Sequence, residues 1–259
     1  MSLLSLPSWN WGSRLRAAAA HLGLSAVVAA LAALVVFLCW YPMPYREVAG
    51  GRELFLLILS VDLVLGPLVT LAIFDRAKGW PHLRRDLAVV AALQLAALAY
   101  GLHTVYEARP VYLVHEVDRF QVVRAIDLTP AELREAPQAL RHLPVWGPRT
   151  IGTADPAAGD EQLNLVASAL AGRDKAFLPS YWRPYESARA QVLARAKPLE
   201  TLKRRYADRA DEFDALVSRA GLPMADLRYA PLVARRADWI VLIDARTADI
   251  VGYAPFDGF

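Results

Sequence analysis

Cysteine is nearly missing from this chain. Cys39 is the only one in 259 residues, which excludes an intramolecular disulfide and any CxxC metal or redox site. Leu38 stands where a small residue would precede a lipid-modified cysteine, so Cys39 reads as an ordinary apolar helix end. Catalytic signatures are also missing: there is no GxSxG, no phosphate-cradling GxxxxGKS or GxxxxGKT, and no GxGxxG. The five histidines, at 21, 82, 103, 115 and 142, show neither HExxH nor another close metal spacing. No catalytic residue, cofactor site or metal site is therefore expected. Nor is there a basic surface in the second part of the chain. From Tyr106 onward, 21 Lys/Arg face 21 Asp/Glu, so the whole excess of +3 sits in the first 105 residues and no nucleic-acid partner is expected.

What is present is apolar length. Hydrophobic residues make up 56% of the chain while 21% are charged, a balance that suits a membrane part joined to a folded domain. Leu22 to Tyr41 is an almost unbroken apolar run, preceded by Arg14 and Arg16 and closed by Trp40, Tyr41 and Pro42. Twenty residues at helical rise cover the roughly 30 Å hydrocarbon core, which the h-region of a signal peptide does not. Residues 54–74 and 87–106 form a second and a third run, so the expected fold is three transmembrane helices followed by one further domain. Arg76, Lys78, Arg84 and Arg85 crowd the segment between the second and third runs, whereas Arg46 and Arg52 between the first two each stand beside a glutamate. By the positive-inside rule this predicts a multi-pass inner-membrane protein in the lipid bilayer, with residues 1–21 cytoplasmic, 22–106 membrane-embedded and 107–259 periplasmic.

The second run contains an anomaly, "SVDLVLGPLVTL", with Asp62, Gly66 and Pro67 inside it. An aspartate near the bilayer centre costs roughly 2.5–3.5 kcal/mol on insertion scales, so it should face protein. Two readings fit. In one, Asp62 bonds Tyr100 of the third run, at similar depth, as a clamp between neighbouring helices, with Gly66 permitting close approach and Pro67 bending the span. In the other, the face of Asp62, Gly66 and Gln94 receives a helix of another protein. An intramembrane aspartyl protease would need a second in-span aspartate, which neither other run supplies.

Beyond Tyr106 the pattern predicts an α+β domain with a mainly antiparallel sheet. "RPVYLVHEVDRFQVVRA" reads as two strands around a polar turn, and "DLTPAELREA" has Thr129 as N-cap, Pro130 at the first helical position and Glu132 closing a capping box. Leu163, Val166, Ala167 and Leu170 make a helical stripe ending at Gly172, with Asp160 and Glu161 favouring the N-terminus of that helix. Further helices are expected over 185–196 and 199–220, separated by Pro198, and a second hairpin begins at Trp239. Tyr181, Trp182 and Tyr185 read as packing, or as a partner or membrane-surface contact, and Arg235, Arg236 and Asp238 as a solvated approach to a strand.

"WYPMPY" at 40–45, "GGRELFLL" at 50–57, "VDLVLGPLVTLAIF" at 61–74, "RRDLAVVAALQLAALAYGLHTVYEARPVYLV" at 84–114 and "EVDRF" at 116–120 together resemble the type IV pilin accessory family. This is the TfpX/TfpZ group that includes the fimbrial assembly protein FimB, and the likeness returns in "DWIVLIDARTADIVGYAP" near the C-terminus. The resemblance implies a non-enzymatic factor that stabilises or chaperones a cognate type IV major pilin in the inner membrane, and contact with other pilus assembly components. It carries over no catalytic or ligand residue. The partner-binding residues expected from the chain itself are Asp62, Gly66, Pro67, Gln94 and Tyr100. The rival readings are a pilin-modifying membrane enzyme such as a glycosyltransferase, and a ligand-binding membrane sensor.

Overall fold

A computed structural model describes residues 10–75, 79–234 and 238–259. Arg76, Lys78, Arg235 and Arg236 lie outside the described residues. The chain divides into two compact units. One comprises the described residues through Val36 together with Arg52–Tyr106; the other comprises Phe37–Gly51 together with Glu107–Phe259.

The first unit is helical. Helix α1, Trp11–Leu34, continues through Val35–Trp40 with wider π-type turns; α3 spans Gly51–Ile73 and α4 spans Trp80–Glu107. The short α2, Tyr45–Val48, belongs to the other unit. All three long helices are apolar and long enough to cross a membrane. The first, Trp11–Trp40, would measure about 45 Å at helical rise, because it begins eleven residues before the apolar run does. Neighbouring helices run antiparallel: Arg14 near the start of α1 donates to Leu71 O and Ala72 O near the end of α3, and Gln94 of α4 meets Asp62 of α3. Pro67 does not end α3, although it removes the N–H that the Leu63 carbonyl would accept.

The second unit is built on one sheet of eight strands, in the order β4-β3-β1-β2-β6-β7-β8, with β5 against β6. The strands are β1 Pro110–Glu116, β2 Arg119–Arg124, β3 Arg149–Thr153, β4 Trp182–Pro184, β5 Lys197–Pro198, β6 Leu227–Val233, β7 Trp239–Asp244 and β8 Ile250–Ala254. The expected hairpins, β1–β2 and β7–β8, are both present and antiparallel. The sheet is nevertheless mixed rather than mainly antiparallel, because β1 runs parallel to β3 and β2 parallel to β6. Parallel neighbours need long crossovers, and the chain supplies one between Arg124 and Leu227 that contains most of the domain's helices. Only two register pairs join β2 to β6, Phe120 with Leu232 and Gln121 with Val233, while β5 occupies the other half of that edge of β6 at Arg228 and Tyr229.

Helix α5, Pro130–Glu135, starts as expected: Thr129 Oγ1 accepts from Glu132 N and the Glu132 carboxylate accepts from Thr129 N. Helix α6 is Asp160–Leu170 and α7 is Tyr185–Arg195. The long helix expected over 199–220 is two, α8 Leu199–Arg205 and α9 Ala210–Ala220, broken by a tight turn at Ala207–Arg209. Trp182 and Tyr185 are core residues: the indole N–H donates to Ala176 O and the tyrosine hydroxyl to Ala248 O.

Strand β1 is buried at every residue, so both faces of the sheet are covered. One face packs Leu113, Phe120, Ala230, Leu232 and Val241 against Tyr185 and Val192 of α7 and against Tyr45 and Val48 of α2. The opposite face carries two clusters, one around Val114, Val123, Ile151 and Trp182, the other around Leu227, Tyr229, Leu242, Phe213 and Phe256. The connection between the first two apolar helices is thus a core element of the sheet unit. Tyr41, Tyr45 and Val48 are each at most 5% exposed, and the Tyr45 hydroxyl lies 3.2 Å from that of Tyr253. Gly51 closes this segment where a Cβ would fall 2.2 Å from the Tyr41 ring.

Candidate functional site

Helix α3 places Asp62, Gly66 and Thr70 four residues apart, hence on one face. That face is a polar seam through otherwise apolar helices. Gln94 Nε2 donates to Asp62 Oδ1 at 3.0 Å. Below it, a Cβ on Gly66 would lie 1.9 Å from Gln94 Nε2 and 3.2 Å from His21 Nε2, so glycine is what lets the amide lie across α3. His21 Nδ1 and Thr70 Oγ1 are 2.5 Å apart, with Thr70 fully enclosed. Arg14, also buried, completes the seam at the last carbonyls of α3, with Asp75 at 3.9 Å. Carbonyls in a helix's final turn lack intrahelical donors, and a guanidinium supplies several.

Of the five predicted residues, the structure joins Asp62, Gly66 and Gln94. Pro67 lies next to Gly66 on α3, half-buried, with no polar role. Tyr100 does not bond Asp62; it is 74% exposed. The two residues match in depth, but Tyr100 lies six positions beyond Gln94, a rotation of about 240° around the helix axis, which turns it away from the seam. Gln94 takes the carboxylate instead. Arg14, His21 and Thr70 escape a residue-by-residue search; the available signals were the four-residue spacing of Asp62, Gly66 and Thr70, and a histidine just before the apolar run.

Above the seam, α3 and α4 enclose an open groove of about 470 Å³. Leu57, Val61, Leu65, Leu93 and Ala97 form apolar walls, and Asp62, Gln94, Tyr100 and Thr104 are its polar groups. At Gly101 a Cβ would strike Ile58 at 2.6 Å, which sets how closely the two helices approach at the upper end. A smaller cavity of about 130 Å³ lies across the seam, lined by His21, Ser25, Asp62 and Gln94, so the carboxylate–amide pair forms a wall shared by both spaces.

In the sheet unit the polar turn "EVDRF" is fixed from beneath. Gln121 Nε2 donates to both Glu116 Oε1 and Asp174 Oδ2, and Ala176 N donates to Glu116 Oε2 at 2.7 Å. Burial pushes the Glu116 carboxyl above its ordinary range. Neighbouring His115 faces the other side of the sheet against Phe120, and burial, with Lys175 nearby, lowers its pKa from 6.5 to about 4. Among the described residues no group of three His, Cys, Asp or Glu side chains is placed to hold a metal ion.

The residues that build α1 and the α2 connection have a counterpart in known proteins. A family model described as fimbrial assembly protein FimB matches residues 9–50. The fimbrial assembly protein of serogroup I from Dichelobacter nodosus is 32% identical over 241 residues, 92% of this chain and 93% of that protein. This chain belongs to the fimbrial assembly protein family. The serogroup E1 protein of the same organism is 30% identical over the same shares of both chains, and the protein of serogroups C1 and C2 is 38% identical over 119 residues, 46% of this chain and 88% of its own. No solved structure matches. The stretch matched by the fimbrial assembly model contains Arg14 and His21 of the seam together with Tyr41, Tyr45 and Val48 of the sheet core, so one short segment contributes to both units.

Proposed function

We propose that this protein takes part in pilus assembly as a non-enzymatic membrane factor that holds the cognate pilin before or during its incorporation. Its family supports the role in assembly. The observation that carries the finer reading is the α3–α4 groove: an open apolar trough with a single carboxylate–amide pair in its floor. An apolar helix of the pilin fits it. Aliphatic walls supply dispersion contacts, and the carboxylate oxygen of Asp62 not engaged by Gln94 is the acceptor that sets depth and register. A lone polar group in hydrocarbon discriminates strongly, because a helix that brings no donor to its level leaves it unsatisfied.

Topology supports a chain that crosses the bilayer three times. Such a chain must bring the first connection and the C-terminal domain to one side, and the shared core of residues 37–51 with the sheet meets this requirement. With the basic segment retained in the cytoplasm, that side is the periplasm of an inner-membrane protein.

The test is photocrosslinking in cells that produce the neighbouring pilin, from a photoreactive residue at Leu65 in the groove wall. Adducts with the apolar helix of the pilin are the expected result. Adducts confined to the protein's own α4 would make the Asp62–Gln94 pair an internal clamp and move the partner surface elsewhere.

A further inference from the structure

The loop between α5 and β3 carries a second surface outside the groove. Leu143 packs into the cluster around Trp182, and the Arg109 guanidinium donates twice to Pro144 O at 3.3 Å. Gly147 N then donates to Cys39 O at 2.6 Å. Gly147 adopts a positive φ of 54°, and a Cβ there would meet Pro42 at 3.8 Å and that same carbonyl at 3.9 Å. Between these fixed points Val145 and Trp146 stand out into the surroundings, with Trp146 69% exposed. Leu38 and Met43, either side of Cys39, are exposed as well. Four large apolar side chains are thus displayed beside one hydrogen bond, held out by groups that are themselves pinned.

The places where the loop is pinned say what covers it. Cys39 lies in the last turn of the first apolar helix, and Arg109 follows the end of α4 by two residues. If those helices cross a bilayer, both points lie at its surface. Charge agrees: no acidic residue occurs from 136 to 154, and exposed Arg141 and Arg149 flank the apolar tip. Tryptophan suits the interface because its ring is apolar while its N–H still finds a polar partner there.

We infer that Val145 and Trp146 insert into the lipid interface, with Arg141 and Arg149 directed to anionic headgroups, so that the sheet unit is held to the membrane by a built wedge. This rests on the membrane-crossing part of the proposed function, and the experiment separates the two.

In a Cys39→Ser background, which leaves the Cys39 carbonyl in place, single cysteines are introduced as Trp146→Cys, Val145→Cys, Val64→Cys on the exposed face of α3 and Leu170→Cys on exposed α6. Each full-length protein carries a nitroxide and is reconstituted in phosphatidylethanolamine–phosphatidylglycerol vesicles. Collision with oxygen, which prefers lipid, is compared with collision with an aqueous nickel chelate. The oxygen-to-nickel ratio at 145 and 146 should exceed that at 170 several-fold and approach that at 64. Ratios at 145 and 146 equal to that at 170, with 64 in lipid, overturn the wedge while leaving the spans intact, and make the patch a protein contact. An aqueous signal at 64 overturns both readings.

Discussion

The two units bury their apolar residues by opposite rules. In the sheet unit β1 is enclosed on both faces and the largest side chains, Trp182, Phe120 and Phe213, are inaccessible. In the helical unit only 22%, 17% and 11% of the most apolar window of each long helix is buried, and Leu24, Leu31, Leu57, Val64 and Leu93 are displayed. Water would not tolerate the second pattern, whereas lipid is as apolar as leucine and gives helices no hydrophobic reason to associate. The helical unit is therefore specified by its few polar pairs and close glycines, and the sheet unit by packing.

The comparison breaks first at Tyr45, which lies next to an apolar helix in the chain but in the sheet core by packing. Tyr45→Ala should cost about 3–5 kcal/mol, as aromatic truncations in cores do, while Tyr100→Ala should stay within about 0.5 kcal/mol. Denaturant unfolding of the full chain in detergent reads both, and equal effects would remove 37–51 from the core.

His115 tests the enclosed side of the comparison by pH. The fold holds the ring neutral to about pH 4, so between 6.5 and 4 the unfolded chain binds the additional proton. Stability is full above 6.5 and falls as pH drops through this window, by up to about 3 kcal/mol. Glu116, raised by burial, titrates in the compensating direction, since its folded form takes up a proton more readily than its unfolded form. Unfolding of His115→Gln measured from pH 7 to 4 should lose the histidine part of the slope; an unchanged slope assigns it elsewhere.

Gly66→Ala is the sharpest probe of the helical unit. Its methyl displaces the Gln94 amide, and the expected loss is about 1–2 kcal/mol, the cost of leaving a buried polar group unpaired. Gln94→Leu in the same background should then add little, and additive losses would show that the glycine acts independently of Gln94. A smaller stability effect than at Gly66 belongs to Asp62→Asn, which still accepts from Gln94 and should cost less than about 0.6 kcal/mol, the average for a whole hydrogen bond between membrane helices. Pilin abundance and piliation should nevertheless fall in that variant. Wild-type piliation would make the carboxylate structural.

Much of this was legible in one dimension. Apolar runs, the Thr129–Glu132 capping box and both hairpins follow from periodicity and local hydrogen bonding, which act within a few residues. Strands β3 to β6 did not stand out: β4 and β5 are only three and two residues long, and the parallel pairs join residues separated by more than a hundred positions in β2–β6. The Asp62 partner was misread for a related reason, since counting residues gives depth along a helix while the rotation that decides contact depends on how two helices face each other.

The sequence by itself determined three apolar helices, a folded domain beyond them and an aspartate that had to be satisfied, because hydrophobicity and chain length act residue by residue. Only the tertiary structure decided that Gln94 satisfies it, that His21 and Arg14 extend the seam, and that residues 37–51 enter the sheet's core. Those outcomes depend on which surfaces meet, and surface complementarity belongs to pairs of distant segments rather than to either segment alone.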